Sequence, residues 1–314
     1  MFAGNAYAWG CKGHEVVALT AWRFMSDNAK RMTVQLESTF PPDPALDHYC
    51  KGDEALLLIA RVATWADDFR YTPEGKQTAN WHFLDVPLGQ PVNDGLGYCQ
   101  QGCITQAISS QSAVLSQAPS ALTDANARAL RFVIHFLGDM HQPLHIADNN
   151  DLGGNCVPVE YLLTPAVLSG GKYAPELHAV WDDNLVDAAM HAASVKDLNA
   201  FSVVLAQLAD QSRGAWSSGS PAEWMAEAHG IAERVAYGEL TSTASTPNLP
   251  AAMKGADDQK GCADRHYDRR LFDLGLQVNF DYLRDAVPLV DQQLAKAGLR
   301  LANTLNSLWP ASTQ

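Results

Sequence analysis

The segment Arg131-Phe-Val-Ile-His135-Phe-Leu-Gly-Asp139-Met-His-Gln-Pro-Leu-His145 decides how this chain is read. Its apolar residues recur at helical spacing and predict a buried helix over 125–142. His135 and Asp139 are four residues apart, so they project from one face of that helix. His145 lies ten residues beyond His135, roughly 80° off that face on a continuous helix. Pro143 bends or ends the helix before it, so His145 is aimed elsewhere, at a second metal. A core helix does not carry imidazoles and a carboxylate among Phe, Ile, Leu and Val without something to neutralise them.

Other stretches repeat the logic. Leu177-His178-Ala-Val-Trp181-Asp182 again spaces His and Asp by four. Trp65-Ala-Asp67-Asp68-Phe-Arg70 and Trp81-His82-Phe83-Leu84-Asp85 each set a candidate ligand beside an aromatic residue, and Trp9-Gly-Cys-Lys-Gly-His14 stands near the start. Imidazole and carboxylate ligands without a paired-thiolate motif suit zinc in hydrolytic sites. Singly, each has a bland reading: a packed His14, a helix-end Asp67, an ion-paired Arg70, a core Phe83, a turn Asp85. Nine candidate ligands in one order make the bland reading poor. Trp65, Trp81 and Trp181 are expected to wall the metal sites. His141 faces away from His135 and is expected to support a neighbouring ligand or meet solvent. His48, His191, His229 and His266 are expected on the surface or in loops.

The chain has 314 residues, 47% hydrophobic and 18% charged, ample for one large core. No apolar run approaches the roughly 18 residues of a membrane span. A net charge of −13 argues against a broad basic nucleic-acid surface. Three zinc ions would offset about half of it and place the positive charge inside the site. Residues 1–8 end in Ala6-Tyr7-Ala8, like the tail of a signal-peptide cleavage site. They are expected to be a remnant or tail, with Trp9 as the mature terminus and one domain over 9–314. Six cysteines without a Cys-x-x-Cys pair fit a secreted or periplasmic protein. Cys99 and Cys103 are close enough for a short clasp. The pairing of Cys11, Cys50, Cys156 and Cys262 stays open.

Periodicity predicts helices near 12–28, 53–70, 104–118, 125–142, 176–190, 196–210, 221–238 and 268–308. Asp53 and Asp124 are expected caps. Val157–Leu163 is expected as one strand of a small hairpin, with Gly170-Gly171 near its turn, and 239–262 as a long surface loop. The expected fold class is all-α, a mainly helical domain with a small β-hairpin.

In order and spacing, these motifs resemble the trizinc single-strand nucleases and 3′-nucleotidases of the S1/P1 type, from Trp9 to Gly298-Leu-Arg-Leu-Ala-Asn303. The resemblance implies the helical fold shared with zinc-dependent phospholipase C and three zinc ions. One would be held by Asp67, His82, His135 and Asp139. A second would be held by His145, His178 and Asp182. A third would take the amine and carbonyl of Trp9, with His14 and the shared Asp139. It further implies that zinc-activated hydroxide attacks phosphorus while a zinc stabilises the leaving 3′-oxygen. Asp67, Arg70 and Asp139 would be catalytic, Phe83 and Asp85 would stack on and hydrogen-bond a base, and Asn155 would help position substrate. Single-stranded DNA, RNA and mononucleotides would be substrates, with no stable membrane association and no obligate protein partner. Cys156 stands where some relatives have lysine, which bears on substrate preference.

Two other readings compete. A zinc-dependent phospholipase C would cleave lipid head-group phosphodiesters. The short Trp9-to-His14 spacing, the His82–Asp85 base-site match and the lack of an aromatic or basic membrane cluster count against it. A non-catalytic zinc-binding protein has no need of Arg70 or the base-site pair.

Overall fold

Helical periodicity in this sequence becomes a stack of packed helices, with the candidate ligands carried at their ends and interruptions. The computed structural model describes residues 9–46, 50, 55–93, 96–99, 102–169, 172–243 and 274–310. The expected remnant over 1–8, the Asp53 cap, the Gly170-Gly171 turn, most of the 239–262 loop, His48 and His266 lie outside them.

Helix α1 (Cys11–Phe24) is followed by α2 (Asp27–Thr39), short α3 (Leu58–Arg61) and α4 (Trp65–Phe69), then α5 (Ile104–Gln117) and α6 (Asp124–Asp139). After a region of turns come α7 (Leu177–Ala179), α8 (Leu185–Ala192), α9 (Leu198–Gln211), α10 (Arg213–Trp216), α11 (Pro221–Ile231) and the long α12 (Phe280–Leu308). The fold is mainly helical, as the periodicity predicts. Helix α1 packs on α12 and α9, and α5 packs on α6. Helix α6 is buried almost throughout. Its N-cap is Thr123, whose hydroxyl accepts from the Asn126 N–H at 3.2 Å. Asp124 is the first helical residue instead of the cap, where its charge suits the helix dipole.

Several expectations need correction. Helix α2 was not foreseen. It buries only a narrow stripe, including Ala29, Met32 and Leu36, and its signal is the cap Ser26, which accepts from the Ala29 N–H. The helix expected over 53–70 is broken at 62–64, and that of 268–308 begins at Phe280, after strand β5 (Leu276–Val278). The 176–190 and 221–238 helices each contain a π-helical stretch, Val180–Asn184 and Ala232–Tyr237. Within 157–163 only Glu160–Tyr161 forms a strand, β1. It pairs in parallel with β5, which pairs antiparallel with β4 (Thr241–Ser242). The hairpin is made by β2 (Val167–Ser169) and β3 (Lys172–Ala174). Disulfides join Cys11 to Cys50 and Cys99 to Cys103, and Cys156 is also disulfide-bonded.

The α1–α12 contact closes at Gly298. A Cβ there would stand 2.7 Å from the buried Thr20 side chain and 3.1 Å from the Val17 carbonyl oxygen. Alanine normally gains about 1 kcal/mol over glycine inside a helix, but β-branched Thr20 cannot rotate away. Gly298→Ala is therefore expected to lower unfolding free energy by about 1–2 kcal/mol, read by urea denaturation. A stabilised variant would show that the two helices separate freely.

Candidate metal centre

Helix α6 brings His135 and Asp139 to one face, and three other segments close on them. His14 comes from α1 and stacks on His135, ring centroids 3.9 Å apart. Gly138 permits the approach, because a Cβ would lie 2.8 Å from His14 Nδ1. Asp67 comes from α4. His82 ends a 3₁₀ stretch, Gly75–His82. All five side chains are buried.

His82 Nδ1, His135 Nε2 and Asp139 Oδ2 lie 3.1–3.2 Å from one another. Asp67 Oδ1 stands 3.8 Å from His82 Nδ1 and 3.7 Å from His135 Nε2. His14 Nε2 is 3.2 Å from Asp139 Oδ1 and also groups with Asp67 and His135. A second group is built from His145, which ends a 3₁₀ turn opened by Pro143, and from His178 and Asp182. His178 Nε2 is 3.1 Å from His145 Nε2 and 3.4 Å from Asp182 Oδ2. Asp182 sits in the first π-helical stretch.

Hydrogen bonds on the outer edge of each ring fix what the inner edge can do. His135 Nδ1–H donates to the Ala63 carbonyl at 2.7 Å, His145 Nδ1–H to the His82 carbonyl at 2.7 Å, and His178 Nδ1–H to the Gly153 carbonyl at 2.6 Å. In its neutral form each ring presents an Nε2 lone pair inward. Two such lone pairs face each other between His145 and His178, and a third faces the Asp139 carboxylate. Acceptors do not bond to acceptors, so a shared metal ion or proton is needed between them; at His135 burial works against the proton, but Asp139 and Asp67 outweigh it and raise the imidazole above its ordinary value. The helix break at 62–64 has its use here, because it places the Ala63 carbonyl where His135 needs it.

The donor set fits a divalent metal. Both His14 ring nitrogens, both Asp67 oxygens, His82 Nε2 and Asp139 Oδ1 are buried without hydrogen-bond partners. Asp67 Oδ1 is within ionic reach of Arg70, at 3.2 Å, but outside hydrogen-bond geometry. Tetrahedral zinc with ligands at about 2.0–2.1 Å sets neighbouring donors about 3.3–3.4 Å apart, and the observed spacings bracket that value. Burial, then the Arg70 charge, pushes the His82 imidazole down to about 3, which keeps it neutral for ligation. Burial works to raise the Asp139 carboxyl, but His135, His14 and His82 overcome it and hold Asp139 well below the usual carboxylate range. Asp182 is pushed well above that range by burial and by Asp183, so its ionised form calls for a cation.

The two groups meet at one cleft of about 370 Å³. It is lined by His82, His145 and His178 together with Arg70, Phe83, Asp85 and Asn155. The metal-capable side chains and the expected substrate residues therefore converge. Trp9 is fully buried, and the Gly10 N–H donates to the Asp182 carbonyl at 3.1 Å, tying the segment of Trp9 to the second group. Trp65 and Trp81 belong to an aromatic cluster with Phe132, which stacks on Phe136 against His82 and His135. Trp181 is fully buried beside Asp182 and donates to the Tyr282 hydroxyl. His141 is buried, not at the surface. Its Nδ1–H donates to the Leu137 carbonyl and its Nε2 accepts from Arg300 at 2.8 Å. His229 is buried too, while His191 is exposed.

Sequence reasoning missed Gln142, whose amide donates to Asp182 Oδ1 at 2.6 Å, and the three carbonyls that orient the imidazoles. Gln142 lies inside the decisive segment, yet no spacing rule marks its partner. The carbonyls have no side-chain signal at all.

Comparison with known proteins agrees with this geometry. The family model described as S1/P1 Nuclease matches residues 9–310. Nuclease S1 of Aspergillus oryzae is 28% identical over 307 residues, covering 96% of this chain and 91% of its own length. Nuclease P1 of Penicillium citrinum is 26% identical, covering 96% of this chain and 97% of its own. Endonuclease 2 of Arabidopsis thaliana is 27% identical, covering 98% and 92%. With a match running from the buried Trp9 through α12, and with buried His and Asp groups able to hold a metal cofactor, the chain belongs to the S1/P1 nuclease family.

Proposed function

We propose that this chain is a zinc-dependent nuclease that hydrolyses single-stranded DNA and RNA to 5′-phosphorylated products and also removes phosphate from 3′-nucleotides. One observation carries the reading: histidines of two metal-capable groups line the same cleft as a guanidinium and an aromatic ring. A phosphodiester substrate needs a cationic centre for its phosphoryl oxygens and a flat apolar surface for its base. A site built only to store zinc needs neither.

Three zinc ions would be held by Asp67, His82, His135 and Asp139; by His145, His178 and Asp182; and by His14, Asp139 and the amine and carbonyl of Trp9. Cleavage after Ala8 would supply that amine, leaving one domain over 9–314. Zinc supplies Lewis acidity, which polarises the phosphoryl group and makes water a competent nucleophile near neutral pH. Asp67 and Asp139 would hold the ions, and Asp67 also steadies Arg70 at 3.2 Å. Burial works against the Arg70 charge, but Asp67, Tyr71 and Asp139 outweigh it and keep the guanidinium protonated. Arg70 neutralises charge as it builds on phosphorus. In-line attack breaks the bond from phosphorus to the 3′-oxygen, leaving a 3′-hydroxyl on one fragment and a 5′-phosphate on the other. Phe83 stacks on an unpaired base, Asp85 accepts from it, and Asn155 positions the strand. The disulfides support export to a secreted or periplasmic setting. Among the described residues no helix is long and apolar enough to cross a membrane.

Chelation is expected to abolish release of 5′-mononucleotides from single-stranded DNA and RNA, and to lower the melting temperature, because ions bound only by the folded state stabilise it. Both effects should reverse with zinc. Chelator-insensitive release would overturn the reading, and turnover of phosphocholine esters alone would favour the phospholipase. Arg70→Ala is expected to lower kcat on single-stranded DNA on the order of a hundredfold with zinc content unchanged by elemental analysis. Phe83→Ala is expected to raise KM on single strands by about tenfold. An unchanged KM would remove Phe83 from the base site.

A further inference from the structure

Gln142 stands between α6 and the 3₁₀ turn Pro143–His145, with no exposed surface. Pro143 opens that turn without an N–H of its own. Leu144 therefore carries the first N–H that needs a partner, and the Gln142 side chain accepts from it. The Gln142 main-chain carbonyl accepts from the His145 N–H at 3.0 Å. A backbone N–H can only donate, so the side-chain atom facing Leu144 is the amide oxygen, and the amide nitrogen is turned the other way. That nitrogen donates to Asp182 Oδ1 at 2.6 Å. One buried side chain thus joins the turn that carries His145 to a carboxylate 40 residues on.

Glutamine is not the usual cap. Ser, Thr, Asp and Asn lead at such positions, and any of them offers an oxygen to an N–H. What glutamine adds is an N–H donor at the end of a longer side chain. Its donation occupies Asp182 Oδ1 and leaves Oδ2, which stands 3.4 Å from His178 Nε2. Ligating carboxylates are themselves hydrogen-bonded, and loss of such a partner weakens the metal. We propose that Gln142 is a positioning residue for the second metal-capable group. It commits Asp182 to ligation through Oδ2 and fixes that oxygen against His145, so the affinity of the group for a divalent ion depends on it. The inference rests on the reading of His145, His178 and Asp182 as metal ligands. The carbonyls behind His135, His145 and His178 belong to the backbone and survive substitution. Gln142 acts by a side chain, so its contribution can be removed and measured.

The test compares the zinc-loaded full chain with Gln142→Met, Gln142→Asn, Asp182→Asn and the double variant Gln142→Met with Asp182→Asn. It reads zinc dissociation constants by competition with a chromogenic chelator, the melting temperature of the metal-free forms, and kcat at low and at raised free zinc. Gln142→Met keeps the volume and loses both bonds. Gln142→Asn keeps the amide on a side chain too short to reach both partners. Each is expected to weaken one bound zinc about tenfold to a hundredfold and to leave the others within about twofold. The kcat lost at low free zinc should return when zinc is raised. In the Asp182→Asn background, Gln142→Met should change zinc affinity by no more than about twofold, because both substitutions break the same bond. Unchanged zinc constants in both single variants would overturn the proposal, whatever the metal-free melting temperature does. So would equal weakening of every ion, or an undiminished effect in the Asp182→Asn background, either of which would mark Gln142 as a packing residue. If Gln142→Met does not fold, Gln142→Asn carries the same comparison. A parent whose zinc content is unmoved by His178→Ala would count against the metal reading itself. A parent that loses an ion with His178→Ala and is indifferent to Gln142 removes Gln142 alone.

Discussion

Carboxylates and imidazoles gathered in a dry interior have to be neutralised, and the rest of this structure follows from that requirement. Asp67, Asp139, His82 and His135 have no exposed surface at all. Such a cluster is costly unless every group finds a counter-charge or a hydrogen bond. Part of the cost is met inside the chain, by the Arg70–Asp67 pair and by backbone carbonyls behind three imidazoles. The inward-facing lone pairs and the buried partnerless atoms of His14, Asp67 and Asp139 are what a divalent ion completes.

Regular structure gives way where the site asks for something it cannot supply. The helix expected over 53–70 is interrupted beside Ala63, whose carbonyl holds His135. Asp182 lies in a π-helical stretch, and Tyr237 ends another and donates to Asp151, at the start of a loop in which Leu152, Gly153 and Gly154 are left-handed. That loop delivers the Gly153 carbonyl to His178. Such departures from regular structure are unusual, and here each carries a group that the metal-capable residues use or lean on.

The same contrast explains what could be read in the sequence. His135 and Asp139 were legible because a four-residue spacing on an apolar helix leaves little else for them to do. His178 and Asp182 share that spacing, and the structure keeps their donors together even though the helix between them widens into a π turn. Helix α2 was not legible, because a surface helix with a narrow buried stripe has weak periodicity. The parallel pairing of β1 with β5 joins residues more than a hundred positions apart, and two- and three-residue strands carry no alternation to detect. Buried His141 illustrates another limit: Arg300, which fixes it, comes from the far end of the chain, and no local spacing announces the pair. The metal-capable side chains were visible in their spacing; the groups that aim them were not.

The groups that aim the imidazoles are main-chain atoms: the carbonyls of Ala63, His82 and Gly153. A carbonyl is present whatever side chain its residue bears, so any substitution that preserves the backbone path preserves the orientation. Selection on ring geometry at these points constrains conformation and leaves residue identity comparatively unconstrained, except where, as at Gly153, a Cβ would run into the Leu144 carbonyl oxygen. Sequence drift can then proceed around the centre while its geometry stands still. Such an arrangement is compatible with identities of only 26–28% to fungal and plant nucleases.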